Sequence, residues 1–226
     1  MRTFPLLALL VAGCATVPAG PTTPSESFRA LGTEPFWAIN IADGRMTFEA
    51  PDIETFSVPA PAPRRTAQGR RWETPRIVLD SRPERCSDGM SDRIYAETVR
   101  ARVDGRELSG CGGDIVPPAS LADTQWTIVE IDGRPVSGET YHLGFTGDRL
   151  SGQAGCNRFS GPYAAGDGTF MPGAVISTRM ACPEPRMDHE RRALQMLQGP
   201  VRIEHPDGDS LRLSGNGVTM RLRRAI

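Results

Sequence analysis

The sequence predicts a mainly β protein divided into two small β-rich modules, the second of which adds one helix and is therefore of the α+β type. Three observations support this prediction. The 24 glycines and 20 prolines make up about one fifth of the 226 residues, which is typical of turn-rich β structure. Short strand-like runs are separated by Asp-Gly turns. The length allows one large domain or two small ones.

The first residues are typical of an exported lipoprotein. Arg2 precedes the apolar run Phe4–Val11 and two small residues, as in a secretory signal with a short apolar core. With Cys14 this segment resembles the bacterial lipobox, which implies a signal peptide at 1–13 and a palmitate-bearing anchor on Cys14. Ala15 after the cysteine implies transfer to the outer membrane. An ordinary signal peptide with an incidental cysteine is the alternative.

Residues 14–27 predict a flexible tether behind the lipid anchor. This segment holds three prolines and almost no side chains that could be buried in a core. The membrane is therefore an expected contact of the protein through its N-terminal lipid. The localisation that follows is the cell envelope, on the periplasmic face of the outer membrane.

The first module is predicted at residues 28–117 and consists of short strands. Asp43-Gly44 and Asp104-Gly105 stand between strand-like runs and predict hairpins. Pro59–Arg71 holds three prolines and four arginines, so we expect an exposed loop there. The predicted strands are Phe36–Ile41, Met46–Ala50, Ile53–Val58, Arg76–Leu79, Ile94–Val103 and Glu107–Cys111.

The second module is predicted at residues 120–226, after an interruption at Pro117-Pro118. Its helix is expected at Pro183–Gln198, with prolines in the first turn and Gly199 at the C′ position. The expected apolar stripe of this helix consists of Met187, Leu194 and Leu197. The predicted strands are Trp126–Ile131, Tyr141–Phe145, Arg149–Gln153, Arg158–Tyr163, Val201–Glu204, Ser210–Ser214 and Val218–Arg223.

Four cysteines remain once Cys14 is assigned to the lipid. They allow three pairings, and an oxidising compartment favours disulfides. The local pairing, Cys86–Cys111 and Cys156–Cys182, closes one loop in each module and contributes about 3–4 kcal/mol per bridge in the chain-entropy model. A four-thiolate zinc site is the alternative, but none of these cysteines forms a C-x₂₋₄-C pair.

Composition and motifs exclude several functions. The formal charge is −1 and every basic residue is arginine, which argues against a polybasic nucleic-acid binder and against lysine chemistry. No apolar run reaches the ~18 residues of a spanning helix. No cofactor motif is present. The histidines stand in unrelated contexts, at His142, His189 and His205. His189-Glu190 begins like a zincin helix, but Ala193 replaces the second histidine. Asp88 and Asp92 lack the further oxygen ligands of a calcium loop. We therefore expect no catalytic or metal site.

The second module resembles the META domain, the family that includes the heat-shock protein HslJ. The residues that carry the resemblance are Gln125-Trp126, the run Leu150–Tyr163 with Gly155, Asn157, Phe159, Gly161 and Tyr163, the run Thr178–Pro183 with Arg179, and Glu190. The resemblance covers about residues 120–226. It implies an antiparallel sheet with one packed helix, a link to heat response, novobiocin tolerance or virulence, and no agreed catalytic activity.

The first module resembles an uncharacterised group of bacterial envelope lipoproteins. The matching pieces are Gly32–Trp37, with Glu34 and Trp37, then Cys86–Asp92 and Leu108–Cys111. That group is similar to small β-barrels such as the membrane-bound inhibitors of c-type lysozyme. The resemblance implies a barrel-like first module.

Each of the motif residues also has a structural interpretation. Asn157 is expected to bond a turn rather than a ligand. Gly155 and Gly161 are expected to mark positive φ or a close backbone approach. Arg179 and Glu190 are expected to form a structural ion pair or surface contacts rather than a ligand site. The tryptophans are expected to be core residues, apart from Trp72, which has charged neighbours and is expected to be exposed; the others are Trp37 and Trp126.

The function expected from these observations is that of a non-catalytic lipoprotein, anchored in the outer membrane, which supports envelope integrity under stress or binds an envelope protein or a cell-wall component. No cofactor and no nucleic-acid partner are expected. The alternatives are inhibition of c-type lysozyme and a pilot-like role beside an outer-membrane assembly, because META proteins are compared with a secretin pilot.

Overall fold

The computed structural model describes residues 27–225, which form two antiparallel sheets, one from each half of the chain. The mainly β fold with two β-rich modules is therefore confirmed. The predicted signal peptide, Cys14 and most of the tether lie outside the described residues. Between residues 27 and 225, no helix has the length and apolar character needed to cross a bilayer.

The first sheet contains ten strands. They are β1 (Phe28–Thr33), β2 (Phe36–Ala42), β3 (Arg45–Ala50), β4 (Ile53–Pro59), β5 (Arg64–Thr66), β6 (Gly69–Glu73), β7 (Ile77–Arg82), β8 (Cys86–Ser87), β9 (Ile94–Val103) and β10 (Arg106–Val116). Their order is β4-β3-β2-β1-β10-β9-β7-β6-β5, with β8 paired to β9, so β4 and β5 are open edges.

This sheet curls around its core. The rings of Phe28 on β1 and Trp72 on β6 are stacked with centroids 4.8 Å apart, although three strands separate β1 from β6 in the sheet. A flat sheet would hold such strands about 19 Å apart, since neighbours are spaced by about 4.8 Å. The barrel-like character expected for this module is therefore present as a half-barrel.

The second sheet also contains ten strands. They are β11 (Thr124–Ile131), β12 (Arg134–Pro135), β13 (Tyr141–Thr146), β14 (Arg149–Ala154), β15 (Arg158–Gly166), β16 (Thr169–Pro172), β17 (Ile176–Ser177), β18 (Val201–Asp207), β19 (Ser210–Gly215) and β20 (Val218–Arg224). β11 pairs with β20 as well as with β13, which closes eight of these strands into a barrel. Side chains fill a barrel of this size, and here Trp126, Phe145 and Phe170 are fully buried.

The hairpin turns follow the sequence prediction. Asp43 and Gly44, between β2 and β3, have φ of 50° and 72°, and this pair of left-handed residues matches the twist of the two strands. The same conformation occurs at Asp104-Gly105, Asp132-Gly133, Asp167-Gly168 and Asn216-Gly217. Strand pairing is therefore set locally at five turns.

The helix α1 (Arg186–Met196) is shorter than predicted. Both prolines precede it, with Pro185 at the cap, and the Glu184 carboxylate accepts a bond from the Asp188 N–H at 2.8 Å. The helix ends at Met196, so Gly199 is not at the C′ position. Its buried residues are Glu190, Ala193 and Met196. The predicted stripe is confirmed in part, because Leu197 is buried and Leu194 packs against the core, whereas Met187 is only half-buried.

Two further expectations were wrong. Pro59–Arg71 is not one loop, because β5 and the beginning of β6 lie within it. Trp72 is buried rather than exposed, since alternate residues of β6 point to opposite faces and its charged neighbour Glu73 takes the solvent side. The strand β1 was not predicted at all.

Candidate functional site

The motif of the second module gathers around a turn between β14 and β15. Gly155 has φ 110°, and a Cβ at this position would lie 2.6 Å from the Arg186 carbonyl oxygen. Only glycine fits both the conformation and the close approach of the helix. The next residue, Cys156, is bonded to Cys182, as the local pairing predicted. The turn, the segment 178–182 and α1 are thereby brought together.

Asn157 holds the backbone of Met180 on both sides. Its Oδ1 accepts from the Met180 N–H at 2.7 Å, and its Nδ2 donates to the Met180 carbonyl oxygen at 2.9 Å. The Thr178 hydroxyl donates to the same Oδ1 at 2.8 Å. The carboxamide thus takes the place of a neighbouring strand for residue 180. We call Asn157 with the residues it bonds in 178–182 the Asn157 clamp.

Glu190 is the buried charge behind this clamp. Its carboxylate accepts from the Asn157 N–H at 3.0 Å and from Asn157 Nδ2 at 2.9 Å. The expected ion pair with Arg179 is not formed, because Arg179 is exposed and the Glu190 carboxylate faces Asn157. The nearby cation Arg186 instead donates to the Gly155 carbonyl oxygen at 2.7 Å. The buried carboxylate therefore depends on hydrogen bonds from one residue.

The remaining motif residues fill the barrel wall. Phe159 is buried in the core, and a Cβ on Gly161 would lie 2.8 Å from the Ala174 carbonyl oxygen. The Tyr163 hydroxyl donates to the Gly147 carbonyl oxygen at 2.9 Å, and burial raises the pKa of this phenol. The buried motif side chains therefore pack in the core or form hydrogen bonds within the domain. An exposed stretch of the motif is the segment 178–181, which Asn157 holds in place.

A second site lies on the first module, where its two motif segments meet. We call it the N-terminal groove; it has a volume of about 630 Å³ and is lined by residues of 29–38, 49–55 and 88–93. Phe36 and Met90 stand on its rim and are 54% and 65% exposed. Glu34 lies in the exposed turn before Phe36. An open apolar concavity of this size is typical of binding sites.

Local bonds fix the loop that forms one wall of the groove. The Asp88 carboxylate accepts from the Met90 and Ser91 N–H groups at 3.0 and 2.8 Å. Partial burial acts to raise the pKa of Asp88, but the bonds from Ser91 and Met90 outweigh it and hold the pKa below its usual value. The Thr33 hydroxyl donates to the Asp88 carbonyl oxygen at 2.9 Å. The predicted disulfide from Cys86 attaches the beginning of this loop to β10.

Trp37 lies under the groove and shapes it. A Cβ on Gly32 would lie 2.1 Å from Trp37 Nε1, so the indole occupies the space that a side chain would need. This Nε1 is buried and has no hydrogen-bond partner among the described residues. A buried unpaired donor is costly, typically by about 1–3 kcal/mol. This unpaired donor offsets part of the stabilisation that burial of the Trp37 ring provides.

The same loop joins the two modules. Arg224 of β20 donates to Asp92 Oδ2 at 2.7 Å, and Arg93 donates to Asp209 at 2.9 Å. The Arg224 side chain is only 5% exposed and lies 6.0 Å from the Trp126 ring. The wall of the groove and the contact between the modules are thus parts of one segment.

The histidines do not form a shared site. His189 bonds the Tyr141 hydroxyl, and His142 and His205 bond the carbonyl oxygens of Glu139 and Ser210. Within 27–225, no group of three His, Cys, Asp or Glu side chains is arranged to hold a metal ion. All three tryptophans are buried.

Sequence reasoning missed the exposed apolar residues. The large ones are Phe36, Met90, Met171, Ile176 and Met180. Phe36 and Met180 stand inside the motifs quoted above, but a motif does not show which of its side chains points outward. Period-2 alternation identifies Phe36 as the outward neighbour of Trp37 once β2 is recognised.

Comparison with known proteins identifies the second module. Residues 119–225 match the model of the META domain family. The C-terminal half of this chain is a META domain. Two solved structures resemble the chain. An NMR structure of a protein from Burkholderia xenovorans is 29% identical, with a TM-score of 0.40, and the match covers 46% of this chain and 83% of that one. A second NMR structure is 23% identical, with a TM-score of 0.42, and the match covers 48% of this chain and 94% of that one. No curated protein matches the chain.

Proposed function

We propose that this protein is a non-catalytic envelope lipoprotein, anchored in the outer membrane through Cys14, which binds an envelope protein or a cell-wall component through the N-terminal groove and supports envelope integrity under stress. The observation that carries the proposal is the groove itself. Two motif segments meet there, a disulfide and an Asp88 turn hold its wall, and Phe36 and Met90 remain exposed on its rim.

The non-catalytic role is supported by the hydrogen bonds of Glu190 and the three histidines, which all go to groups within the protein. The buried carboxylate of Glu190 is occupied by Asn157, and each histidine has its own bond to a neighbouring residue. A general acid or base must be within hydrogen-bond reach of a bound substrate. The groove presents aromatic, thioether and methyl groups together with the charged side chains of Arg29, Glu49 and Arg93. Of the charged groups in its wall, Arg93 is paired with Asp209, and Asp88 is occupied by backbone N–H groups.

The anchor is supported by the first residues of the sequence. Growth with radiolabelled palmitate should label the protein, and Cys14→Ser should abolish the label and release the protein from the membrane fraction. A label that persists in the serine variant, or an unmodified protein in the cytoplasm with reduced cysteines, would contradict the proposed address.

The binding role is tested by the variant Phe36→Asp/Met90→Asp. In a strain lacking the protein, sensitivity to novobiocin, heat and detergent should rise, and this variant should fail to restore resistance. The control is Thr127→Asp, which adds an acidic residue at an exposed position of β11 and should restore it. A deletion strain with unchanged sensitivity would count against the stress role.

A second candidate function is inhibition of c-type lysozyme. The observation that favours it is the exposed pair Phe36 and Met90 beside a rigid loop on a small disulfide-stapled β module. The folded chain from residue 27 should then reduce the lytic activity of lysozyme at micromolar concentration, and Phe36→Asp should restore lysis. Undiminished lysis with the unmodified protein removes this candidate.

A further inference from the structure

The META domain carries a second exposed apolar surface, away from the N-terminal groove. Ile176 and Met180 are 70% and 57% exposed. Both precede Cys182, which is bonded to Cys156. We call Ile176, Met180 and the exposed arginines Arg158 and Arg179 the clamp surface.

The exposure of Met180 is fixed by its surroundings. Asn157 bonds both the N–H and the carbonyl oxygen of Met180, and Glu190 in turn holds Asn157. A side chain that is presented on a held backbone loses little conformational freedom when a partner covers it. The Asn157 clamp therefore presents a preorganised apolar contact to the solvent.

A backbone edge lies beside this side chain. The strand β17 pairs only with β15 among the strands of residues 27–225, so its other edge carries no neighbour there. Ile176 faces outward beside Ser160, next to a concavity of about 480 Å³ that is lined by His142, Ser151 and Arg158. An open edge next to a concavity can accept an extended segment as an added strand.

The charges on this surface have one sign. Arg158 and Arg179 are exposed, and neither forms an ion pair with a carboxylate within the described part of the chain. Other arginines of the domain, such as Arg191 and Arg221, do pair with carboxylates. A partner that covers the clamp surface therefore meets two uncompensated positive charges and is favoured when it is acidic.

We propose that the clamp surface docks an extended segment of an envelope protein that contains both acidic and apolar residues. The segment adds to the free edge of β17, its apolar side chains cover Ile176 and Met180, and its carboxylates meet Arg158 and Arg179. This surface is separate from the N-terminal groove, so the inference adds a second partner site and does not depend on what the groove binds.

The test uses two labelled ten-residue peptides, one of valine, threonine and glutamate and the other with lysine in place of glutamate. The glutamate peptide should bind the folded chain about tenfold more tightly in fluorescence anisotropy, as expected for two exposed charge pairs. Arg158→Glu/Arg179→Glu should reverse this preference, and Ile176→Asp should weaken both peptides. Arg212→Glu, at an exposed position of β19 across the barrel, should leave binding unchanged. Equal binding of the two peptides, no binding at millimolar peptide, or an equal loss in the control would overturn the proposal.

A photo-crosslinking residue placed at position 180 or at position 36 of the lipidated protein separates the two sites in intact cells. An adduct from position 180 that disappears in Arg158→Glu/Arg179→Glu supports the clamp surface. An adduct from position 36 alone overturns this inference and leaves the proposed function standing. No adduct from either position counts against both.

Discussion

Replacing Asn157 by alanine should destabilise the META domain strongly. The variant removes the bond from Nδ2 to the buried Glu190 carboxylate, a charged hydrogen bond whose loss costs about 1.5–3 kcal/mol. It also removes three neutral bonds, two to Met180 and one to Thr178, whose partners are exposed and can bind water instead. Their net loss adds about 0.5–1 kcal/mol each. We expect a total loss of about 3–6 kcal/mol, which overlaps the range of about 3–5 kcal/mol for breaking a buried charged contact.

The assay is urea unfolding of the chain from residue 27 with both disulfides intact, followed by tryptophan fluorescence. A lower midpoint with an unchanged slope reports a loss of stability rather than a change in the surface exposed on unfolding. Amide hydrogen exchange at Met180 measures the clamp locally, because this N–H donates to Asn157 Oδ1. Its protection should disappear in the variant.

A double-mutant cycle separates the charged contact from the rest. Glu190→Gln keeps an acceptor for the Asn157 N–H but removes the charge that must be compensated. The loss in Asn157→Ala/Glu190→Gln should therefore be smaller than the sum of the single losses by about 1–3 kcal/mol. A loss below about 1 kcal/mol for Asn157→Ala, or losses that add within about 0.5 kcal/mol, would refute the reasoning.

Three further predictions concern other parts of the fold. Gly32→Ala should lower the free energy of unfolding by about 1–3 kcal/mol, because the new Cβ would clash with the Trp37 ring. The control Gly166→Ala has open space around the new Cβ and should be nearly neutral in the same urea assay. Equal losses in the two variants would contradict this prediction. Burial lowers the pKa of His205 below 6.5, so the unfolded chain binds its proton more readily, and this contribution to stability should be complete above pH 6.5 and lost as the pH falls. His205→Gln should remove that part of the pH dependence of the urea midpoint, and an unchanged profile would contradict the assignment. Reducing the two disulfides should cost about 3 kcal/mol for each loop and lower the melting temperature measured by circular dichroism, and an unchanged melting temperature would contradict it.

Local features of the fold could be predicted from the sequence. The Asp-Gly pairs mark hairpins because both residues of such a turn adopt positive φ, which few other residues tolerate. Strand alternation in β9 and β20 separates the buried face from the exposed one. The local pairing of the cysteines, which agreed with the predicted division of the chain near Pro117-Pro118, is confirmed.

Features that depend on distant residues could not be predicted. The barrel is closed by the pairing of β11 with β20, and the sequence of neither strand indicates that the other is its partner. Glu190 lies at helical spacing with Ala193 and Met196, which would place it on the buried stripe, but a carboxylate there is plausible only once Asn157 is known to face it. Trp72 was misassigned because its charged neighbours suggested an exposed segment, whereas the alternation of β6 turns the indole inward.

The ion pair between Arg224 and Asp92 has a consequence for dissecting the molecule. The two residues are 132 positions apart in the chain, and the Arg224 side chain is only 5% exposed. Cutting the chain between the modules would remove Asp92 from Arg224 and Arg93 from Asp209, so both residues of the META domain would lose their ion-pair partners. A separately expressed half would therefore expose one unpaired cation and one unpaired anion that are paired in the intact molecule. Affinities measured with such fragments would include the binding of ligands to these newly exposed charges.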